Sequence, residues 1–287
     1  MRTLLHISDL HFGRVDPATV EPLTAAIRAL APNVVIVSGD LTQRARAAEF
    51  RAARAFLDAL PRPQIVVPGN HDVPLYNLAA RAFAPLGGFR KYIADDPEPT
   101  YADGEVVVQG LNTTRSSTWK NGRLNGAQLD KVRAAFELAP AGAVRVLVTH
   151  HPLDLPPAHS HRDLVGRAAR AMPVLAACGA DVLLAGHFHR AHSGDTSQRY
   201  DIRQFAALVV QAGTTTSTRL REEYNSFNLL RTSTDEITVD RYVWRPSEGL
   251  FASQLTECFR RTPDGWRRAP VEGAAAAEDV VVGKQPR

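Results

Sequence analysis

The first 75 residues alternate between short apolar runs and amphipathic stretches, and no other feature narrows the fold as much. Leu4 to Ser8 is an apolar run that ends at Asp9. Val20, Leu23, Ile27 and Leu30 then recur at three- and four-residue spacing, the signature of one buried helix face. Asn33 to Val37 is a second run, ending at Asp40, and Phe50, Ala53, Leu57 and Leu60 mark a second helix closed by Pro61. Gln64 to Val67 is a third run, ending at Gly69-Asn70-His71-Asp72. Strand, helix, strand, helix, strand at roughly 30-residue spacing is two consecutive βαβ units, which calls for parallel strands and right-handed crossovers.

Residues 74–100 break this rhythm with Pro74, Pro85, Gly87-Gly88, Pro97 and Pro99 around a short helical stretch from Leu75 to Phe83. They read as an excursion over the rim of the sheet rather than a separate domain. Alternation resumes with a strand at Glu105 to Leu111, a helix marked by Leu129, Val132 and Phe136, and a strand from Val144 to Thr149 that delivers His150. A proline-rich loop from Pro152 to His161, a helix from about Asp163 to Ala177 and a strand from Asp181 to Ala185 follow. Beyond residue 204 the pattern turns to period two over Phe205–Gln211, Ser226–Arg231, Glu236–Trp244 and Gln254–Arg260, which predicts antiparallel strands forming a second sheet. The expected organisation is one α/β domain over residues 1–266, its β-rich part at 204–260, followed by a loosely ordered tail at 267–287 that has no apolar period.

A chain of 287 residues with 44% hydrophobic content can build a sizeable core. Its apolar runs are too short for a membrane span. The opening Met1-Arg2-Thr3-Leu4 enters a strand at once, which leaves no room for a secretory signal and makes a cytoplasmic protein the expectation. Cys178 and Cys258 are isolated and read as ordinary buried thiols. The net charge is +4 and the isoelectric point about 9.3. That suits an anionic substrate or a nucleic acid, and equally an Arg-rich solvated surface, so charge decides nothing.

Five polar clusters stand at the ends of the apolar runs: Asp9-Leu10-His11, Gly39-Asp40, Gly69-Asn70-His71-Asp72, His150, and Gly186-His187-Phe188-His189. Each alone is an ordinary turn or cap. In an open parallel sheet, however, the carboxyl ends of the strands gather on one rim, so the ordered series builds one site. It offers carboxylate, imidazole and amide donors without thiolate, a set suited to Mn, Fe or Zn. Two such ions clamp a phosphoryl group and acidify a shared water. Residues two apart in an extended segment share a face, which would bring Asp9 together with His11, and lets His187 and His189 reach two neighbouring ions. Asp40, alone in its cluster, is the natural bridge, and His71, followed by Asp72, reads as an imidazole held by a carboxylate for acid or electrostatic catalysis. His6 reads as a core residue. His150 and His151 should diverge, so that one of them faces the metals. His159, His161 and His192 fall in polar loops, exposed by default.

These residues resemble the calcineurin-like metallophosphoesterase superfamily, whose series D-x-H, G-D, G-N-H-[DE], H and G-H-x-H stands here complete and in order. The likeness runs over roughly residues 1–230. It is greatest to bacterial class III cyclic-nucleotide phosphodiesterases and their glycerophosphodiesterase relatives, through Leu5-His6-Ile7-Ser8-Asp9-Leu10-His11-Phe12, Gly110-Leu111-Asn112-Thr113 with Gly126-Ala127-Gln128-Leu129, and Thr149-His150-His151-Pro152. The resemblance implies a four-layer αββα sandwich of two mixed β-sheets flanked by helices. It implies Asp9, His11, Asp40 and His189 as ligands of one metal, and Asp40, Asn70, His150 and His187 as ligands of the other. It favours His150 over His151, and makes His71 the catalytic imidazole with Asp72 behind it. The basic segment Arg115 to Arg123 and the stretch from Arg245 to Arg287 depart from the pattern.

The expected activity is hydrolysis of small phosphodiesters, nominally 3′,5′-cyclic nucleotides, by in-line attack of a metal-bridging hydroxide. A nuclease or a broad-specificity phosphoesterase of the same superfamily is the enzymatic alternative. A nuclease would want aromatic stacking along a basic groove, and the chain is only 7% aromatic. A non-catalytic scaffold on this fold should lack a ligand, and here none is missing. The expected partner is therefore a small diester, with no membrane; the 74–100 excursion and the C-terminal strands are the candidate surfaces for a homodimer.

Overall fold

The computed structural model describes residues 1–118, 120–219 and 223–271. The three opening runs become β1 (Arg2–Ile7), β2 (Val34–Val37) and β3 (Gln64–Val66), joined by α1 (Pro17–Leu30) and α2 (Ala47–Asp58). They pair in parallel, Leu4 beside Val34 and Val35 beside Gln64. The start of α1 is set locally: the Asp16 carboxylate accepts the Ala18 N–H, and Pro17 supplies a helical φ where no amide proton is needed. As its spacing predicts, Leu23 and Ile27 are buried.

The excursion after β3 carries α3 (Leu78–Phe83) and α4 (Gly87–Tyr92) and ends in β4 (Thr100–Ala102). Leu86, Phe89 and Ile93 bury themselves in the same cluster as Phe50 and Leu57 of α2, which fastens the excursion to the first helical layer. There follow β5 (Val106–Leu111), α5 (Gly126–Glu137), β6 (Val144–Thr149), α6 (Ala168–Ala177), β7 (Val182–Ala185), β8 (His192–Asp195) and β9 (Leu208–Gln211). These strands form a six-stranded sheet in the order β4-β5-β6-β7-β9-β8, parallel in its interior and antiparallel at both edges. Two expectations shift here. The helix expected from Asp163 begins at Ala168, because Ser160 caps a separate 3₁₀ turn over His161–Asp163 and Arg167 takes a left-handed φ of 73°. His192 lies not in a loop but in β8, opposite Gln211.

Of the strands expected to be antiparallel beyond residue 204, β9 instead runs parallel to β7. The C-terminal strands β10 (Ser226–Thr232), β11 (Glu236–Arg245), β12 (Leu250–Thr262) and β13 (Gly265–Ala269) are antiparallel as predicted, but they do not make the second sheet. They extend the first, in the order β13-β12-β11-β10-β1-β2-β3, by pairing β10 with the free edge of β1. An uncovered parallel strand leaves half its backbone groups unpaired, and β10 satisfies them. The first residues of the tail expected from 267 are ordered instead. Arg267 to Ala269 pair with β12, and Trp266 is buried with its indole N–H donating to Asp181 at 3.1 Å. The rest of that expected tail, from 272, lies outside the described residues.

Alternation along the strands sorts the core into three layers. Leu5, Ile7, Val35 and Val37 face α1 and α2. Leu4, Val34 and Ile36 meet Val106, Val108, Val146 and Val148 between the sheets. Val107, Leu111 and Leu147 face Val132, Phe136, Met172 and Leu175 of α5 and α6. The result is a four-layer αββα sandwich. Both sheets end their parallel strands on the same side, so the loops that follow them meet over the gap between the sheets. No helix among the described residues is long and apolar enough to cross a membrane. Cys178 and Cys258 are buried, and neither forms a disulfide among the described residues.

Candidate metal centre

Five side chains of the expected site are presented by a strained backbone. Asp9, His11, Asp40, His187 and His189 all have left-handed φ angles, between 51° and 77°. This corrects the idea that Asp9 and His11 converge because they lie two apart in an extended segment. The chain kinks at each residue instead, an arrangement that costs on the order of 1 kcal/mol or more per residue and persists where the surroundings impose it. Glycines make room for the kinks. Gly39 has a φ of 97°, and a Cβ there would stand 2.7 Å from His150 Nδ1; one on Gly186 would collide with the Ser8 hydroxyl.

Two groups of donors face each other across Asp40. In the first, His189 Nε2 lies 3.0 Å from Asp9 Oδ1 and 3.1 Å from His11 Nε2, and Asp40 Oδ2 is 3.7 Å from His11 Nε2. In the second, His150 Nε2 is 3.4 Å from Asp40 Oδ1, 3.1 Å from Asn70 Oδ1 and 3.3 Å from His187 Nδ1. Backbone carbonyls fix the ring protons. His150 Nδ1 donates to Ser38 and His189 Nδ1 to Arg219, so in each ring the lone pair of Nε2 points into the cluster. These nitrogens and the carboxylate and amide oxygens beside them make up a donor set suited to divalent cations. Buried Asp9 Oδ1 has no hydrogen-bond partner, although His189 Nε2 is near, which fits a donor set arranged around cations.

The electrostatics agree. Burial alone would raise the carboxyl of Asp9, yet His189 and His11 hold it well below the usual range, and His150 and His71 do the same for Asp40. In the imidazoles burial works in the other direction, but Asp40 lifts His150 to about 9 and Asp9 raises His189. His187, desolvated and beside His150, falls to about 3, and burial lowers His11. With the protein groups alone, each donor cluster thus draws a proton to the Nε2 of one imidazole, the position at which a bound cation would take the proton's place.

His151 lies close enough to His150 and His187 to count as a donor by distance. Its ring is already used: Nε2 donates to the Lys120 carbonyl and Nδ1 accepts from the Thr113 hydroxyl at 2.7 Å. Burial and the neighbouring His150 hold it neutral, well below its ordinary pKa. It fastens the 115–123 segment to the site. His6 is a buried core residue bonded to the Ser38 hydroxyl at 2.8 Å, and burial lowers it to about 3.

His71 stands beside both groups. Its N–H donates to Asp40 Oδ1 at 2.8 Å, its Nδ1 donates to the Gln43 carbonyl at 2.8 Å, and its Nε2 lies 3.0 Å from Arg219 Nη1. Asp72 does not hold this imidazole as expected. Its carboxylate accepts the N–H groups of Leu41, Thr42 and Gly69 and the Thr42 hydroxyl, tying the loop after β2 to the loop after β3. Burial and Asp40 raise it to about 6. The sequence signal misled because a carboxylate next in the chain to a histidine points away from it in a 3₁₀ turn.

An open cleft of about 210 Å³ leads to the centre, walled by Asp40, Asn70, His71, His187 and His189 and by the cations Arg44, Lys120 and Arg219. Of these cations, Lys120 lies in the basic 115–123 segment noted in the sequence, whereas Arg44 and Arg219 were not expected there. Arg219 follows the run Thr214-Thr215-Thr216-Ser217-Thr218, eight residues past the end of β9 at Gln211, too far for the strand-end spacing that found the ligands to point to it.

The chain is similar to several curated phosphodiesterases. A probable cyclic nucleotide phosphodiesterase of Synechococcus sp. is 28% identical over 166 residues, 52% of this chain and 58% of the relative. The glycerophosphodiester phosphodiesterase of Enterobacter lignolyticus is 38% identical over 153 residues, 46% of this chain and 55% of the relative. A cAMP/cGMP dual specificity phosphodiesterase of Mycobacterium tuberculosis is 28% identical over 216 residues, 65% and 61% of the two chains. The chain therefore spans between 55% and 61% of the length of these curated relatives. A dimetal phosphatase from Danio rerio shares the fold at a TM-score of 0.61 and 14% identity, over 83% of this chain and 95% of that one. A purple acid phosphatase from yellow lupin does so at 0.64 and 10%, over 89% and 53%. The family model for calcineurin-like phosphoesterases matches residues 2–191, which run from β1 past the last of the ligand loops, and the chain belongs to that family.

Proposed function

We propose that this protein is a binuclear metal-dependent phosphodiesterase acting on small phosphodiesters, with 3′,5′-cyclic nucleotides the nominal substrate. One observation carries the reading: the two carboxylate oxygens of Asp40 address different imidazoles, Oδ2 toward His11 and Oδ1 toward His150. In this assignment Asp9, His11, Asp40 and His189 hold one divalent ion, and Asp40, Asn70, His150 and His187 hold the other. Mn, Fe and Zn all accept such donors. When bound, the pair supplies an acidified water and neutralises phosphoryl charge.

The chain's own groups do the rest. The cationic wall of Arg44, Lys120 and Arg219 draws in an anionic ester. His71, outside both ligand sets, stands at the open side of the centre where a leaving oxygen departs. Asp72 keeps the two ligand loops in register. The small cleft has no Phe, Tyr or Trp among its described lining residues, which favours a compact diester over a stacked nucleic acid strand. The names of the relatives point the same way.

The test is a panel of cAMP, cGMP, glycerophosphodiesters, bis(p-nitrophenyl) phosphate and single-stranded DNA, assayed as purified and with Mn²⁺, alongside elemental analysis. The expected result is two metal equivalents and turnover of small diesters. Cleavage of DNA alone would overturn the substrate assignment, and a single equivalent in active protein would overturn the binuclear one.

A further inference from the structure

The run that follows β9 is laced hydroxyl by hydroxyl to the first ligand loop. Thr214 Oγ1 donates to the Asp9 carbonyl at 2.8 Å, Thr215 Oγ1 accepts the Ser8 N–H at 3.1 Å, and Thr216 Oγ1 donates to the Leu10 carbonyl at 2.8 Å. Ser217 Oγ donates to the Arg14 carbonyl and accepts the Arg219 N–H at 3.1 Å. The backbone reinforces this, with Thr215 donating to Ser8 and Thr218 to Arg14, both at 3.1 Å. Thr214 to Ser217 are all buried. Such a ladder, joining segments about 200 positions apart, is more than a strand needs in order to end, and what it delivers is Arg219.

Arg219 meets the centre at two points. Its carbonyl takes the Nδ1 proton of His189, and its Nη1 donates to His71 Nε2 at 3.0 Å. The direction of the second bond follows from the first principles of the groups. His71 Nδ1 faces a carbonyl and so carries the ring proton, while a guanidinium only donates. The cleft-facing nitrogen of His71 is thus engaged in holding the arginine.

We propose that Arg219 is a catalytic residue that contacts the phosphoryl group, and that His71 and the 214–218 hydroxyl ladder are the positioning groups that hold its guanidinium there. This rests on the phosphodiesterase reading above. In the reaction, water bonds to phosphorus through its oxygen and gives up one proton to solvent, the ester P–O bond breaks, and the departing oxygen takes a proton from solvent. Arg219 transfers no proton; its planar fork of N–H donors stabilises the charge that grows on the phosphoryl and departing oxygens.

The experiment uses the metal-loaded protein. Arg219→Ala keeps the carbonyl that His189 needs, so metal content should be unchanged, while kcat falls by about 10²–10³-fold, more for alkyl than for p-nitrophenyl leaving groups. Inorganic phosphate, titrated calorimetrically, should bind at least about tenfold more weakly. Arg219→Lys should recover part of both. His71→Ala should show the same leaving-group pattern, and the double variant should be no slower than Arg219→Ala, because the two act as one unit. Unchanged phosphate affinity and kcat in fully loaded Arg219→Ala would overturn the assignment to Arg219. Multiplicative effects in the double variant would overturn the positioning role of His71. If the unaltered protein hydrolyses no diester, the phosphodiesterase reading fails, and the phosphate titration still judges Arg219 by itself.

Discussion

The two donor groups on either side of Asp40 use nearly the same residue types in different settings. Asp9 and His11 are fully buried, and their group contains two carboxylates. The group around His150 shares one carboxylate, substitutes the amide of Asn70 for a second, and leaves Asn70 and His187 partly exposed on the wall of the cleft. Fewer charges and more solvent make for a weaker hold on a cation. Under the binuclear proposal, this difference makes one ion part of the architecture and the other the exchangeable, substrate-facing one.

The sharpest way to break that comparison is to remove what the halves share. Asp40→Ala should lose both ions and lower turnover by several kcal/mol of transition-state stabilisation, about 10³-fold or more, as read by elemental analysis and initial rates. Asn70→Ala should separate the halves: one equivalent stays, the other is lost, and turnover falls by about 10²-fold. Chelator titration of the unaltered protein should remove one equivalent well before the other; simultaneous loss would mean that the two halves bind alike. His150→Ala should lose the same equivalent as Asn70→Ala, whereas His151→Ala should keep it and loosen only the 115–123 segment, so metal-replete, active His150→Ala would reverse that choice. The smallest effect belongs to Asp72→Asn, which should keep both ions and cost about 1–3 kcal/mol of stability through disturbed bonds to the Leu41, Thr42 and Gly69 amides, measured by denaturant unfolding.

What was legible in the sequence was local. Each apolar run, its helix and the polar cluster at its end lie within a few dozen residues of each other, and burial of one face is enough to write that pattern into the chain. The opening strands and helices, and the donors at their ends, could be read for that reason. Asp72 could not, because its neighbour in sequence, His71, turns out not to be its neighbour in space. Nor could the left-handed kinks at Asp9 and Asp40, since nothing in an aspartate announces a positive φ; the surrounding loops impose it. The C-terminal strands were identified correctly as strands and misplaced as a sheet. Period two says that a segment has two faces and is silent about which edge it will join.

The sequence by itself determined the chemistry on offer: a series of carboxylates, imidazoles and an amide, in order, at the ends of strands that must run parallel. Tertiary structure decided which atoms meet. It set Asp40 between two imidazole groups and turned His151 away into a hydrogen bond with Thr113. It placed β10 on the edge of β1, and with it drew the Thr214–Thr218 ladder along Ser8–Arg14 until Arg219 reached His71. Residue type and spacing act over a few turns of chain, whereas a contact such as Thr214 to Asp9 depends on how every intervening strand is paired. The ligands could therefore be found by reading along the chain, and the arginine beside them only by folding it.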